Sequence, residues 1–193
     1  FLISFSDIII FIFIFLYVIK LLYYLKNYIQ DIYMEKIFKK MNNFESKKKF
    51  NFGIINYNTY GLELLEHFLK NVGIHKVLII IPYEDRNIIE DIFSELDNCS
   101  FYKKKKKTYK NIIFISDKQV KYFNLQIYFY RVFLFKSNRI VLKTFNCKYK
   151  FMWILTKNHD LIYFHTSIFI RNLIRNMKMI DFEKRVLNFS QKK

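Results

Sequence analysis

With 193 residues, the chain is long enough for one ordinary domain with extensions. It carries 33 basic and 16 acidic residues, a formal net charge of +17, and this excess indicates a polyanionic partner, nucleic acid first and an anionic membrane second. Because 52% of the residues are hydrophobic and 20% are aromatic, the composition excludes a disordered basic tail and indicates a chain buried among other macromolecules.

The choice of amino acids is strongly biased towards those with AT-rich codons. Ile, Phe, Tyr, Asn and Lys dominate, alanine is absent, and the sequence has 3 glycines and 1 proline. Such a bias is typical of organelle genomes, so we predict an organelle-encoded protein of the mitochondrial matrix. The bias also weakens periodicity arguments, because Ile, Phe or Lys stands where another genome would use Ala, Leu or Arg.

Residues 1–46 are predicted to be an apolar, helical N-terminal extension. Residues 8–25 are almost wholly apolar, interrupted only by Lys20, and are close in length to the roughly 20 residues that a helix needs to span a bilayer. Two interpretations stay open, a membrane helix and a helix buried on a protein partner, and we favour the second. The Ile–Phe alternation over residues 9–15 also fits a buried strand. Residues 26–40 have the spacing of an amphipathic helix.

Residues 47–147 are predicted to form the core. Its first half reads strand, helix, strand over residues 50–57, 60–72 and 77–82. Gly53, inside the first strand, indicates a bulge or a point where another part of the chain approaches closely. Asn58 or Thr59 is a suitable helix cap, and Gly73 is a suitable helix terminator.

The second half of the core follows a predicted insertion at residues 83–102, in which residues 84–97 have the spacing of a short acidic helix. After a basic segment, the chain again reads strand, helix, strand, over residues 111–116, 117–135 and 139–145. A strand–helix–strand unit with basic residues at its junctions is a suitable scaffold for binding phosphate groups.

Residues 148–193 are predicted to form a C-terminal extension. Two short strands, at residues 151–156 and 161–164, flank a polar turn at residues 157–160 and indicate a β-hairpin. A final helix is predicted from Ser167 to about Met179, with Ser167 as its cap.

The basic residues of the second half are the candidate binding residues, because a chain that neutralises phosphates releases counterions from the nucleic acid. We predict RNA binding by Lys103, Lys104, Lys105, Lys106, Lys107, Lys110, Lys118, Lys121, Arg131, Arg139 and Lys143. Four tyrosines lie among them and could stack on unpaired bases, although we favour packing for most of them: Tyr109, Tyr122, Tyr128 and Tyr130.

The sequence predicts no catalytic residue, no metal site and no cofactor. Cys99 and Cys147 lack the spacing of a metal motif and are predicted to be two free thiols in a reducing compartment. His159 and Asp160 are an adjacent His–carboxylate pair in a predicted polar turn, but no Ser or Cys stands in a recognisable nucleophile motif. Three glycines cannot supply a phosphate-cradling loop, so an enzyme is not predicted.

Two stretches carry a family resemblance. In the first half, Asn56-Tyr57-Asn58 precedes a Leu-rich helix, which is followed by Gly73 and by a strand that ends in Pro82. These residues have the order and spacing of the first half of the small-subunit ribosomal protein ten family, known in its antitermination role as NusE.

The second half carries the better part of the resemblance to the ribosomal protein ten family. A basic loop with Thr108 precedes an apolar strand that ends in Ser116, and Asp117-Lys118 opens the next element. The chain departs from the family because Asp117 follows Ser116 directly, where the family has a Ser-Pro step. The small-subunit ribosomal protein eight family is the second candidate, since residues 153–156 resemble its late Ile-Leu-Ser-Thr strand.

The resemblance implies an α+β fold with a split βαβ, ferredoxin-like core, a helical N-terminal extension, and a C-terminal extension of a β-hairpin plus a helix. It implies a structural constituent of the mitochondrial small ribosomal subunit that binds ribosomal RNA and neighbouring small-subunit ribosomal proteins in the subunit head. The alternative is a membrane-embedded accessory subunit of a mitochondrial respiratory or ATP-synthase complex, anchored by residues 8–25. We favour the ribosome because the sequence has no second clean apolar span.

Overall fold

The computed structural model describes residues 5–47, 51–57, 61–104, 108–123, 127–158, 167–175 and 177–189. The chain divides into two compact units, Phe1–Asn42 and Asn43–Lys193. The first unit consists of most of one long helix, and the second contains a parallel β-sheet with its covering helices.

The N-terminal helix α1 spans Phe5–Ser46 without a break. The helical prediction for this part of the chain is confirmed, and the alternative of a buried strand at residues 9–15 is wrong. Among the described residues, α1 is the one helix that is long and apolar enough to cross a membrane. Every residue from 8 to 25 is exposed in this structure.

Seven strands in the described part of the second unit form one sheet, in the order β3-β4-β2-β5-β6-β1-β7, and all their pairings are parallel. The strands are β1 (Phe52–Tyr57), β2 (Val77–Ile81), β3 (Cys99–Phe101), β4 (Ile112–Ser116), β5 (Tyr128–Leu134), β6 (Lys148–Thr156) and β7 (Val186–Phe189). The helices are α2 (Gly61–Lys70), α3 (Arg86–Phe93), α4 (Ile168–Ile174) and α5 (Met179–Glu183). This α/β architecture overturns the predicted split βαβ, ferredoxin-like core.

Helices cover both faces of the sheet. On one face, Phe68 of α2 stacks on Phe133 of β5, with ring centroids 5.6 Å apart, and Phe93 of α3 stacks on Phe114 of β4 at 5.3 Å. The opposite face belongs to an apolar cluster completed by α4 and α5, with buried side chains that include Ile170, Ile174 and Phe182. Burial on both faces explains why β2 and β4 are continuous apolar runs instead of alternating ones.

Several local predictions are confirmed. The strands predicted at residues 50–57, 77–82 and 111–116 are β1, β2 and β4, and the helices predicted at residues 60–72 and 84–97 are α2 and α3. Gly73 has a left-handed backbone, with φ at +61°, as a helix terminator requires. The predicted caps Asn58 and Thr59 lie outside the described residues.

The helix predicted at residues 117–135 is wrong. The segment starts with a 3₁₀ helix at Asp117–Tyr122, and its later part forms most of β5, a central strand of the sheet. Residues 124–126, between the two, lie outside the described residues. The aromatic and β-branched side chains of β5 suit a pleated, buried surface better than a helix. The strand predicted at residues 139–145 is also wrong, since a 3₁₀ turn at Ser137–Arg139 is followed by irregular backbone.

The predicted insertion and the predicted C-terminal extension both contribute strands to the sheet. The predicted hairpin is wrong for β6, which pairs in parallel with both β1 and β5, while residues 161–164 lie outside the described residues. The predicted insertion supplies α3 and the edge strand β3, and the C-terminal segment supplies β6 and β7. The final helix is shorter than predicted: α4 begins after Ser167, ends at Ile174 and is followed by α5.

Gly53 is a point of close approach, as its sequence position suggested. It stands opposite Trp153 in the register of β1 and β6, and a Cβ atom at this position would overlap the Trp153 ring. Trp153 is fully buried, so its ring cannot move aside easily. The smallest residue and the largest residue of the core therefore share one layer of the sheet.

A buried carboxylate at the end of α1, within the second unit, connects two strands. Glu45 accepts hydrogen bonds from Arg131 Nε at 2.7 Å and Nη2 at 3.0 Å, and from Trp153 Nε1 at 2.7 Å. The side chains of Glu45 and Arg131 are 6% and 10% exposed. The geometry is a bidentate, charge-assisted pair shielded from water, joining the segment before β1 to β5 and β6.

The two cysteines are free thiols, and the pKa of each is raised. Burial raises the pKa of Cys99 to about 11, although the charge of Lys110 opposes it, and burial raises the pKa of Cys147 to about 11. Thiolate is the reactive form, so these thiols are expected to react slowly at neutral pH.

We expect iodoacetamide at pH 8 to label both cysteines about 100-fold more slowly in the folded protein than after unfolding, because raising the pKa from 9 to about 11 lowers the thiolate fraction by that factor. Mass spectrometry of quenched samples measures the two rates. Between pH 9 and 11 the native thiols keep protons that the unfolded chain releases, so stability should fall as the pH rises through this range. Equal labelling rates in buffer and in denaturant would contradict the burial.

Candidate nucleic-acid interface

The carboxyl ends of parallel strands meet at one edge of a sheet, and ligands of such sheets bind there, where the chain changes direction across the sheet. From β2 the chain continues to β3 on one side, and from its neighbour β5 it continues to β6 on the other. The crevice between the ends of β2 and β5 is therefore the expected binding position. We call the loops around it, residues 82–86, 102–104, 117–123 and 135–144, the carboxyl edge.

Asp117 ties three of these loops together. It is the first residue after β4 and is 8% exposed. Its Oδ1 accepts hydrogen bonds from the backbone N–H of Tyr83 at 3.1 Å and of Lys118 at 2.8 Å, and its Oδ2 accepts one from the N–H of Val141 at 3.0 Å. The loops after β2, β4 and β5 thus share one buried carboxylate.

Asp85 makes a second connection across the crevice. This residue, 6% exposed, accepts a hydrogen bond from Arg139 Nη1 at 2.9 Å, and its Oδ2 forms an ion pair with Lys136 Nζ at 3.0 Å that lacks hydrogen-bond geometry. Lys136 has a left-handed backbone, with φ at 50°, where the chain turns at the end of β5. The loop after β5 is thereby fixed to the loop after β2.

Three lysines line an open cavity beside Asp117. The cavity has a volume of about 300 Å³ and receives Lys118 and Lys121 from the 3₁₀ helix and Lys143 from the loop after β5. Val120, Val141 and Leu142 supply its apolar wall. All three lysines are exposed, so their ammonium groups are accessible to an anionic ligand in the cavity.

Exposed tyrosines alternate with these lysines. The Lys118 ammonium lies 4.3 Å from the ring centroid of Tyr83, and the ammonium groups of Lys121 and Lys104 lie 4.7 and 5.3 Å from that of Tyr122. A hydrogen bond with Lys121, together with the charges of Lys121 and Lys104, lowers the pKa of Tyr122. Tyr83 and Tyr122 are about half exposed, at 48% and 53%, and offer ring faces to a ligand.

The structure brings six of the eleven sequence-predicted basic residues to the carboxyl edge: Lys103, Lys104, Lys118, Lys121, Arg139 and Lys143. Lys103 lines a second cavity, of about 430 Å³, with Tyr83, Glu84, Arg86, Asn87 and Glu90. The six residues come from loops that follow three different strands, and no single run of the sequence contains them.

The other predicted residues lie elsewhere. Lys105, Lys106 and Lys107 fall outside the described residues. Lys110 precedes β4 at the opposite edge of the sheet, where its carbonyl oxygen accepts a hydrogen bond from Lys76 Nζ at 3.3 Å. Arg131 lies within β5, is 8% exposed, and has its guanidinium on Glu45.

Sequence reasoning missed the two carboxylates that organise the edge. The sequence predicts Asp117 as the first residue of a helix and Asp85 as part of the acidic face of another helix. The available signal was position, because each follows a continuous apolar strand by one to four residues and so stands at a strand's carboxyl end.

Within the described ranges, no group of three or more His, Cys, Asp or Glu side chains is placed to hold a metal ion. Comparison with known proteins adds no assignment: no family model, no curated protein and no solved structure matches the chain.

Proposed function

We propose that this protein binds RNA through the carboxyl edge, as a structural constituent of a mitochondrial ribonucleoprotein, with the small ribosomal subunit as the assembly that the sequence predicts. One observation carries the proposal: six exposed basic side chains lie along one edge of the sheet, and two buried carboxylates fix the loops that carry four of them, Lys118, Lys121, Arg139 and Lys143. Basic side chains held in place bind phosphates with a smaller loss of conformational entropy than mobile ones.

Exposed tyrosines favour RNA over a small inorganic anion. Single-stranded RNA is bound by basic residues on the phosphates together with aromatic rings on the unstacked bases. Tyr83 and Tyr122, each beside a lysine, provide both kinds of contact at the carboxyl edge.

The likeness to the ribosomal protein ten family does not support the proposal, because the fold that this family implies is absent. The assembly named here is supported by the composition, the charge of +17 and the location of the basic residues. Sedimentation of solubilised organelles tests it: the chain should migrate with the small ribosomal subunit and lose that position after RNase treatment. Migration with another complex, unchanged by RNase, would contradict it.

Direct binding to single-stranded RNA provides the sharper test. Replacing Lys118, Lys121 and Lys143 together by glutamine should weaken binding about 100-fold at 0.1 M salt and reduce the slope of log K against log salt by about 2, since each single-strand phosphate contact contributes about 0.7 to it. Fluorescence anisotropy with a labelled RNA of mixed sequence, recorded at several salt concentrations, measures both quantities.

The matched control for this variant replaces three exposed lysines distant from the carboxyl edge. Lys70 ends α2, Lys148 begins β6, and Lys184 precedes β7, so all three lie towards the amino ends of strands. The two triple variants have the same net charge. If both weaken binding equally, the effect is one of net charge and the carboxyl edge is not the interface.

A further inference from the structure

We propose that residues 8–25 of α1, here called the apolar segment, cross a lipid bilayer as a single span. The sequence alone favoured burial of this segment on a protein partner. The structure adds a continuous helix in which every residue of the segment is exposed. The inference does not depend on RNA binding, and it applies equally to the alternative of a membrane-complex subunit.

The apolar segment is exposed and hydrophobic on all sides. Consecutive residues are uncovered around the whole circumference, with Phe11, Phe13 and Tyr17 about 70% exposed, at 71, 69 and 69%, and Ile14 and Leu16 at 57 and 55%. A helix that docks on a protein buries one stripe and shows polar residues on the opposite one. A helix that is apolar all round requires an apolar environment on every side, and lipid provides it.

Length and end groups also fit a bilayer. Eighteen helical residues extend about 27 Å, close to the hydrocarbon thickness of about 30 Å. Lys20, the one charged residue of the segment, has its Nζ 6.0 Å from the ring centroid of Tyr24, one turn nearer the end of the segment. Lys20 is five residues from the end of the segment, within the range from which a lysine can extend its ammonium to the interface.

Aromatic and basic residues concentrate at the C-terminal end of the segment. Tyrosines are enriched at membrane–water interfaces, and this end contains Tyr23, Tyr24 and Tyr28. Four lysines follow within 15 residues of Leu25: Lys26, Lys36, Lys39 and Lys40. Under the positive-inside rule, the residues after the span remain on the side of the membrane where the protein is made, which for a mitochondrially encoded chain is also the side of the mitochondrial RNA.

Flotation with protein-free vesicles tests the proposal. The purified full-length protein is reconstituted from detergent into vesicles of neutral phosphatidylcholine and centrifuged in a density gradient in 1 M NaCl, then extracted with carbonate at pH 11. We expect it to float and to resist extraction, because the apolar segment inserts into the bilayer. Neither an anionic lipid nor a protein partner is present to hold the protein on the vesicles in another way. A chain that stays at the bottom of the gradient would overturn the proposal.

A pair of variants separates insertion from nonspecific adhesion. Phe13→Lys with Leu16→Lys places two charges near the middle of the segment and should abolish flotation. Ile29→Lys with Ile32→Lys adds the same two charges at positions beyond the segment that are also exposed, 54 and 51%, and should float as the unaltered protein does. Flotation of the first variant, or loss of it in both, would contradict a span at residues 8–25.

Measuring RNA binding of the same variants in detergent keeps the two proposals apart. The Phe13→Lys/Leu16→Lys protein should bind single-stranded RNA with unchanged affinity, which also shows that its second unit is folded. Loss of flotation with intact RNA binding supports the membrane span on its own, whatever the RNA result for the carboxyl-edge variants.

Discussion

Replacing Glu45 by alanine should lower the free energy of unfolding by about 3–5 kcal/mol, the range found when one partner of a buried ion pair is removed. The change takes away the carboxylate that compensates the Arg131 guanidinium, only 10% exposed, and the acceptor of the Trp153 Nε1–H. Denaturant unfolding measures it conveniently, because Trp153 is the only tryptophan of the sequence and its fluorescence reports directly on this part of the core.

Two control variants, Glu66→Ala and Glu45→Gln, are needed to interpret the destabilisation by Glu45→Ala. Glu66→Ala removes a carboxylate from an exposed pair with Lys70, 2.7 Å long and with side chains 43 and 59% exposed, and should cost at most about 0.5 kcal/mol. Glu45→Gln keeps an oxygen for Trp153 but loses the charge, so it should fall between the two. If Glu45→Ala is no more destabilising than Glu66→Ala, the pair is not shielded from water as described.

The parts of the fold that the sequence predicted well are those whose residues admit one conformation. The apolar runs of β2 and β4 are short and rich in isoleucine, which favours a buried strand over a buried helix whatever the order of the strands in the sheet. The segment of β5, with aromatic residues and Arg131, has a pattern that also fits a helix. Its conformation is decided by its central position in the sheet, between β2 and β6.

Strand order is the part that sequence reasoning could not supply. β1 pairs with β6 and β7, so residues about 100 positions apart become neighbours, as Gly53 and Trp153 do. The glycine indicated that something approaches closely, but nothing local identifies the tryptophan. Pairing of this kind depends on which strands bury each other's apolar faces, and the codon bias gives nearly every strand the same isoleucine-rich and phenylalanine-rich surface.

The candidate site was predictable in its chemistry and not in its layout. From the sequence we predict that basic residues at the ends of elements bind RNA, among them Lys118, Arg139 and Lys143. The structure places all three at the carboxyl edge. The conspicuous run of five lysines contributes Lys103 and Lys104 there, and the rest of it lies outside the described residues. Convergence of separate loops is a property of the parallel sheet, and the predicted fold did not contain one.

Asp117→Ala should destabilise the protein by about 2–3 kcal/mol, because three backbone N–H donors lose their acceptor at once and a buried donor left unsatisfied costs about 1–3 kcal/mol, less where water reaches it. Asp117→Asn leaves a single oxygen for donors that now reach both oxygens, so it should have a smaller effect in the same direction. Denaturant unfolding followed by Trp153 fluorescence measures both.

The direction in which Asp117→Asn changes RNA affinity shows whether Asp117 acts through its negative charge or through the loops that it positions. Removing a negative charge from a basic surface should strengthen binding if charge alone matters, whereas releasing the loops that position Lys118 and Lys143 should weaken it. We expect weaker binding, because the buried carboxylate organises the loops around the cavity. Glu84→Gln is the control: it removes an exposed negative charge, 3.9 Å from Lys118, and should bind RNA slightly more tightly with unchanged stability. If Asp117→Asn behaves like Glu84→Gln, Asp117 contributes only its charge and the loops are positioned without it.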